Sequence, residues 1–126
     1  NLFDDNSLIY KAALYTIYMK TRKKTTQYIA HTSIGYWPFS TPRASPVKAI
    51  IAAENQVSTA LLKSRGISFP TEFFGSWLRA NHSNIVAESH EYIGEVRQVT
   101  LLDGETQREF RRRYCSICHQ EDMEMA

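Results

Sequence analysis

Polar and apolar positions follow different rhythms along the chain. Asp4, Asp5 and Ser7 precede a stretch from Leu8 to Met19 that only Lys11 and Thr16 interrupt with strongly polar side chains. Acidic residues and a Ser before an apolar run mark a helix start. Lys20, Arg22, Lys23 and Lys24 then fall where a helix C-terminus favours cations. The pattern predicts a helix over residues 6–21, buried around most of its circumference. The rival is a strand, since Tyr15, Ile17 and Tyr18 carry β preference. Bilayer spans need roughly 20 apolar residues. No run here is that long, so no membrane span is expected.

Residues 25–34 are rich in Thr, Tyr and Ile and read as a strand. Gly35, Pro38, Pro42 and Pro46 make residues 35–46 a loop, because proline removes backbone donors and restricts its predecessor. Tyr36, Trp37 and Phe39 stand at its tip. Ordered loops of this length are often functional. Next comes the strongest helix signal, over residues 46–65. Ser45 serves as N-cap and Pro46 occupies N1. Val47, Ile50, Ile51, Ala53, Val57, Ala60 and Leu61 recur at helical spacing, with Gly66 ready at C′. Lys48, Glu54, Gln56 and Lys63 should be exposed.

Thr71 is expected to cap a helix from Glu72 to Ala80 that turns Phe73, Phe74, Trp77 and Leu78 inward. Residues 81–84 read as a polar turn. Within residues 85–102, a mixture of β-formers and charges, Val96 to Leu102 is the clearest strand. Asp103-Gly104 is a turn signal. Phe110, Tyr114, Ile117 and Cys118 stand at i, i+4, i+7 and i+8, which favours a helix over 105–119 to a hairpin partner. The fold class is therefore α+β, with three to four helices packed on a small, mostly antiparallel sheet. At 126 residues the chain is read as a single domain, 1–126. With 43% hydrophobic and 22% charged residues it is neither disordered nor collagen-like.

The net charge of +2 is too mild to announce a nucleic-acid binder, but its distribution is uneven. Lys11, Lys20, Arg22, Lys23 and Lys24 outnumber Asp4 and Asp5 near the start. Arg108, Arg111, Arg112 and Arg113 face only Glu109 within residues 107–113. On a helix, Arg108, Arg111 and Arg112 form one stripe opposite Phe110 and Tyr114. Arginine's planar fork suits phosphate oxygens. Such a stripe positions nucleic acid without reading its sequence. Tyr28, Tyr36 and Trp37 offer rings for stacking on unpaired bases. The candidate nucleic-acid contacts are Lys20, Arg22, Lys23, Lys24, Arg108, Arg111 and Arg112. The competing reading is a solvated helix face, partly neutralised by Glu105, Glu109 and the acidic residues Glu121, Asp122 and Glu124.

Cys115 and Cys118 sit together and cannot cross-link distant parts of the fold, so the chain relies on its core. They leave the compartment open. Cys115-Ser116-Ile117-Cys118-His119 fits the C-x-x-C-H of c-type haem attachment, two thiols for the vinyl groups and a His for iron. The same residues offer three zinc ligands where four are needed. The motif also resembles the opening Cys-x-Ile-Cys of a RING finger, whose remaining ligands would lie beyond Ala126. A redox pair is the third possibility. Against all of these stands a packed, reduced cysteine pair.

Seven tyrosines and a proline-bounded aromatic loop suggest an adhesive protein–protein surface, with Tyr36, Trp37 and Phe39 as interface candidates. The chain has no G-x-S-x-G, no H-E-x-x-H and no phosphate-binding glycine loop. His90, between Glu88 and Glu91, is the one candidate general base. The sequence thus favours a non-enzymatic binding module that contacts nucleic acid through Lys/Arg clusters at 20–24 and 108–113. The alternatives are a c-type haem protein and a protein–protein adaptor using the 36–39 loop.

Overall fold

The computed structural model describes residues 23–115. The helix expected over 6–21 lies outside them. In chain order come β1 (Lys24–Thr32), α1 (Pro46–Ser64), α2 (Phe74–Asn81), α3 (Ser83–Ser89), a 3-10 turn (His90–Tyr92) and β2 (Ile93–Leu102). A further helix, α4, begins at residue 107 and runs through 115. The α+β class is therefore as expected, with the helices packed on a two-stranded antiparallel sheet.

Lys24 lies opposite Leu102 and Ile29 opposite Arg97, with a register irregularity between Ala30 and Thr32. The expected loop 35–46 is only partly a loop. Its residues 39–43 run along β1, joined by bridges at Tyr28–Arg43 and His31–Phe39. Tyr28 and Arg43 exchange N–H···O bonds of 2.7 and 2.9 Å, and the Ser40 N–H donates to Ala30 O at 2.8 Å. Alternate residues of a strand direct their backbone groups to opposite edges. This segment therefore covers the edge of β1 away from β2. The Ser40 hydroxyl accepts from the buried Ala30 N–H at 2.9 Å.

Helix α1 is built as its sequence dictates. Ser45 Oγ accepts from the Lys48 N–H at 3.2 Å, with Pro46 just inside the start. At the other end the Gly66 N–H bonds Lys63 O and the Ile67 N–H bonds Leu62 O. That Schellman closure needs a left-handed residue, and Gly66 supplies φ +67°. The buried stripe is Ala49, Ala53, Val57, Ser58, Leu61 and Leu62. Val47, expected inward, is 67% exposed, and Glu54 and Gln56, expected outward, are half-buried.

Three expectations fail around α2 and α3. Thr71 caps nothing, because the N-cap of α2 is Phe73 in a left-handed conformation without a side-chain cap. Phe73 does not turn inward but is 83% exposed. The polar turn at 81–84 is a single residue, His82, between α2 and α3. Helix α3 takes up residues whose β-branched content had suggested extended chain.

The core has two parts. Val57, Leu61, Leu62, Leu78 and Ile85 form an aliphatic cluster where α1, α2 and α3 meet. Ile29, Phe39, Val99 and Phe110 form a second cluster between the sheet and α4. Phe110 docks α4. Each fully buried large apolar side chain contributes about 1.5–3 kcal/mol.

Candidate functional site

Asp103-Gly104 does not close a hairpin but hands the chain from β2 to α4. The start of α4 is fixed by a capping box absent from the sequence-based expectations. Thr106 Oγ1 accepts from the Glu109 N–H at 3.1 Å, and Glu109 Oε2 accepts from the Thr106 N–H at 3.2 Å. Glu109 is thus engaged at the helix start. Glu105 is engaged too: Arg113 donates to both its carboxylate oxygens, at 2.9 and 3.1 Å. The Glu105 side chain is only 4% exposed and also accepts from the Leu102 N–H. Arg113 further donates to Thr100 O at 2.7 Å. Of the arginines in 108–113, Arg113 is therefore a structural clamp between α4 and β2.

Arg108, Arg111 and Arg112 take the other side. Together with Gln107, Tyr36 and Trp37 they line an open groove of about 610 Å³. The arginine stripe and the aromatic loop, more than seventy residues apart in sequence, share one site. Among the described residues, no acidic side chain lines it.

The loop is held from below. Gln56 Nε2 donates to Trp37 O at 2.9 Å and to Phe39 O at 3.3 Å. Thr32 Oγ1 also donates to Trp37 O, and the Thr32 N–H donates to Pro38 O, both at 2.9 Å. Gly35, at φ +116°, makes the reversal that an L side chain rarely adopts. The result is a hydrogen-bonded perch that leaves Tyr36 90% exposed. The Tyr36 ring meets Trp37 edge-on at 5.7 Å. Trp37 then leads to Phe39, and Phe39 to Phe110 and Tyr114. An aromatic series thus joins the groove to the core.

Phe39 belongs to that core. At 2% exposure it cannot act as the surface anchor expected of it. Tyr36 is fully displayed and Trp37 partly so.

Arg111 lies in the groove wall, its Cζ 5.2 Å from the Trp37 ring centroid, within cation–π range. Its Nε is buried and has no hydrogen-bond partner among the described residues. Burial pushes its guanidinium below arginine's ordinary pKa, and the charge of Arg43 pushes it further the same way. Arginine stays charged at neutral pH regardless. Two cations therefore sit close enough to oppose each other beside a groove that no described acidic residue lines. Arg43 was missed in the sequence. The only available signal was a basic residue between Pro42 and Ser45, just after the aromatic tip.

Other expected site residues lie apart from the groove. Lys23 and Lys24 are exposed at the start of β1, where Lys23 O accepts from the Asp103 N–H. They do not line the groove. Lys20 and Arg22 lie outside the described residues, as do Cys118 and His119. Cys115, the last described residue, is partly buried and packs against the sheet–α4 cluster. Among the described residues, no group of His, Cys, Asp and Glu has the arrangement of a metal site. The carboxylate partner of His90 is not Glu88 or Glu91. His90 Nε2 lies 2.9 Å from Glu54 Oε1, while Glu88 pairs with Arg65. No helix among the described residues is long and apolar enough to cross a membrane.

Comparison with known proteins finds no matching family, no similar curated protein and no similar solved structure.

Proposed function

We propose that this protein is a non-enzymatic binding module for nucleic acid, with the Arg108–Arg111–Arg112 face of α4 as its phosphate contact. The observation that carries the proposal is the shared groove, which sets three arginines beside the rings of Tyr36 and Trp37, with no acidic side chain among its described lining residues. Arginine forks suit phosphate oxygens, and aromatic faces suit bases. The role of Arg111 differs from that of its neighbours. It is held under Trp37 and shapes the groove, whereas Arg108 and Arg112 are exposed and reach outward. Binding of this kind fixes position without discriminating sequence.

The test is a fluorescence-anisotropy titration of labelled oligonucleotides over a range of salt concentrations. Affinity should fall steeply with salt, as counterions are released. Replacing Arg108 and Arg112 together by Ala should weaken binding about evenly across sequences. The salt slope should flatten by about one for each contact removed. Unchanged affinity in that double variant removes α4 from the interface.

A further inference from the structure

The Tyr36 ring does more than line the arginine groove. It also lines a second open cavity of about 350 Å³, together with Gly35, Gln56, Thr59, Ala60 and Lys63. The two cavities share one side chain, and that side chain is 90% exposed. Both volumes lie in the roughly 300–1,000 Å³ range of pockets that accept compact organic ligands. A nucleotide is a ligand of that size.

The chemistry of the second cavity differs from that of the first. Among the described residues it has one cation, Lys63, exposed near the C-terminal end of α1. The Thr59 hydroxyl donates to Asn55 O at 2.7 Å, so its oxygen is left to accept from a ligand. The Gln56 amide nitrogen is committed to the aromatic loop, so ligand contact there falls to its carbonyl oxygen. One cation, two acceptors and an aromatic wall suit a base edge and a single phosphate. The arginine groove, with its several guanidiniums, suits backbone phosphate.

We infer that a single, unpaired strand crosses over the Tyr36 ring, with one nucleotide in the arginine groove and its neighbour in the Gln56–Thr59–Lys63 cavity. This rests on the nucleic-acid reading above and narrows it to single strands. An exposed ring that lines two nucleotide-sized hollows reaches its full contact only when a base leaves its pair and stacks on it. Duplex bases are already stacked and paired, and their backbone alone meets a protruding ring poorly.

The experiment uses the 126-residue chain and a fluorescein-labelled eight-nucleotide strand, alone and annealed to its complement. The single strand should bind at least tenfold more tightly than the duplex. Tyr36→Ala should lose about tenfold for the single strand and little for the duplex, since stacking on one aromatic ring is worth about that much. Tyr36→Phe should retain the affinity. Lys63→Ala should lose a few-fold and flatten the salt slope by about one. Tyr36 and Lys63 are both exposed, so circular dichroism should be unchanged in all three variants. Equal binding of both forms, lost on removing Arg108 and Arg112 but not Tyr36, overturns the strand-over-Tyr36 inference and leaves the broader nucleic-acid reading intact. No binding of either form overturns both. Single-strand preference that needs Tyr36 but ignores Lys63 removes the second cavity from the path.

Discussion

The two halves of the core are built from different materials. Where α1, α2 and α3 meet, the interior is mainly Leu, Val and Ile. Its surface is tied by opposite charges, Arg65 with Glu88 and Arg79 with Glu54. Between the sheet and α4, the interior is led by Phe39 and Phe110. There the surface charge is divided. Arg113 is neutralised by Glu105, but Arg108, Arg111 and Arg112 face a groove that no described acidic residue lines. Burial, and after it the charge of Arg43, holds the Arg111 guanidinium below arginine's ordinary pKa, and on the proposed reading a bound phosphate would offset both. The contrast divides the molecule into a scaffold and a proposed site.

That division can be broken by removing one core anchor from each half. Phe110→Ala should cost about 3–5 kcal/mol in urea unfolding. It should also abolish oligonucleotide binding under conditions where the variant is still folded, because α4 loses its dock. Leu78→Ala should cost a comparable amount, about 2–5 kcal/mol, yet leave the affinity of the folded fraction intact. If both variants lose affinity equally, the two halves are not separable and the contrast fails.

A smaller effect is expected at the clamp between β2 and α4. Glu105→Ala leaves Arg113 without its carboxylate and the Leu102 N–H without its acceptor. The cost should be about 1.5–3 kcal/mol, the range for hydrogen bonds to charged groups. The salt slope of binding should steepen as Arg113 becomes an additional unpaired cation. A flatter slope would mean that the clamp, rather than charge alone, sets the groove.

The smallest effect belongs to the scaffold alone. Gly66→Ala places a Cβ at φ +67°, where nothing lies within 4 Å to clash. Only the backbone preference opposes it, so the loss should be about 1–2 kcal/mol, with binding unchanged. A larger loss would point to contacts of residue 66 beyond the Schellman closure.

What was legible in the sequence follows the same boundary. Helix α1 was readable to within a residue because Ser45, Pro46, the apolar spacing and Gly66 all point the same way. Strand β1 and the core of β2 were readable from Thr, Tyr, Ile and Val content. Helix α3 was not. It is seven residues long, and its Ile85 and Val86 carry β preference that only packing against α1 and α2 overrides. Phe73 was misplaced because local spacing cannot reveal that its backbone turns left-handed before α2. At the site, the arginine stripe and the Tyr36–Trp37 tip were each visible, but not their meeting. That meeting depends on residues 39–43 pairing along β1 and on Phe110 seating α4 beside them. Both are long-range events with no local signature. Phe39 was misjudged for the same reason, since its neighbours Tyr36 and Trp37 stand outside while its own position in the paired segment faces Phe110 and Tyr114.

The most direct measurement uses Trp37 as its own reporter. The chain has two tryptophans, and Trp77→Phe leaves only the one in the groove. Titrating that variant with an unlabelled single-stranded oligonucleotide should change Trp37 emission in a saturable manner. The change should reverse with added salt and disappear when Arg108 and Arg112 are replaced by Ala. Anisotropy that reports binding while Trp37 emission stays constant would contradict the account, because the nucleic acid would then occupy a surface other than the arginine–aromatic groove.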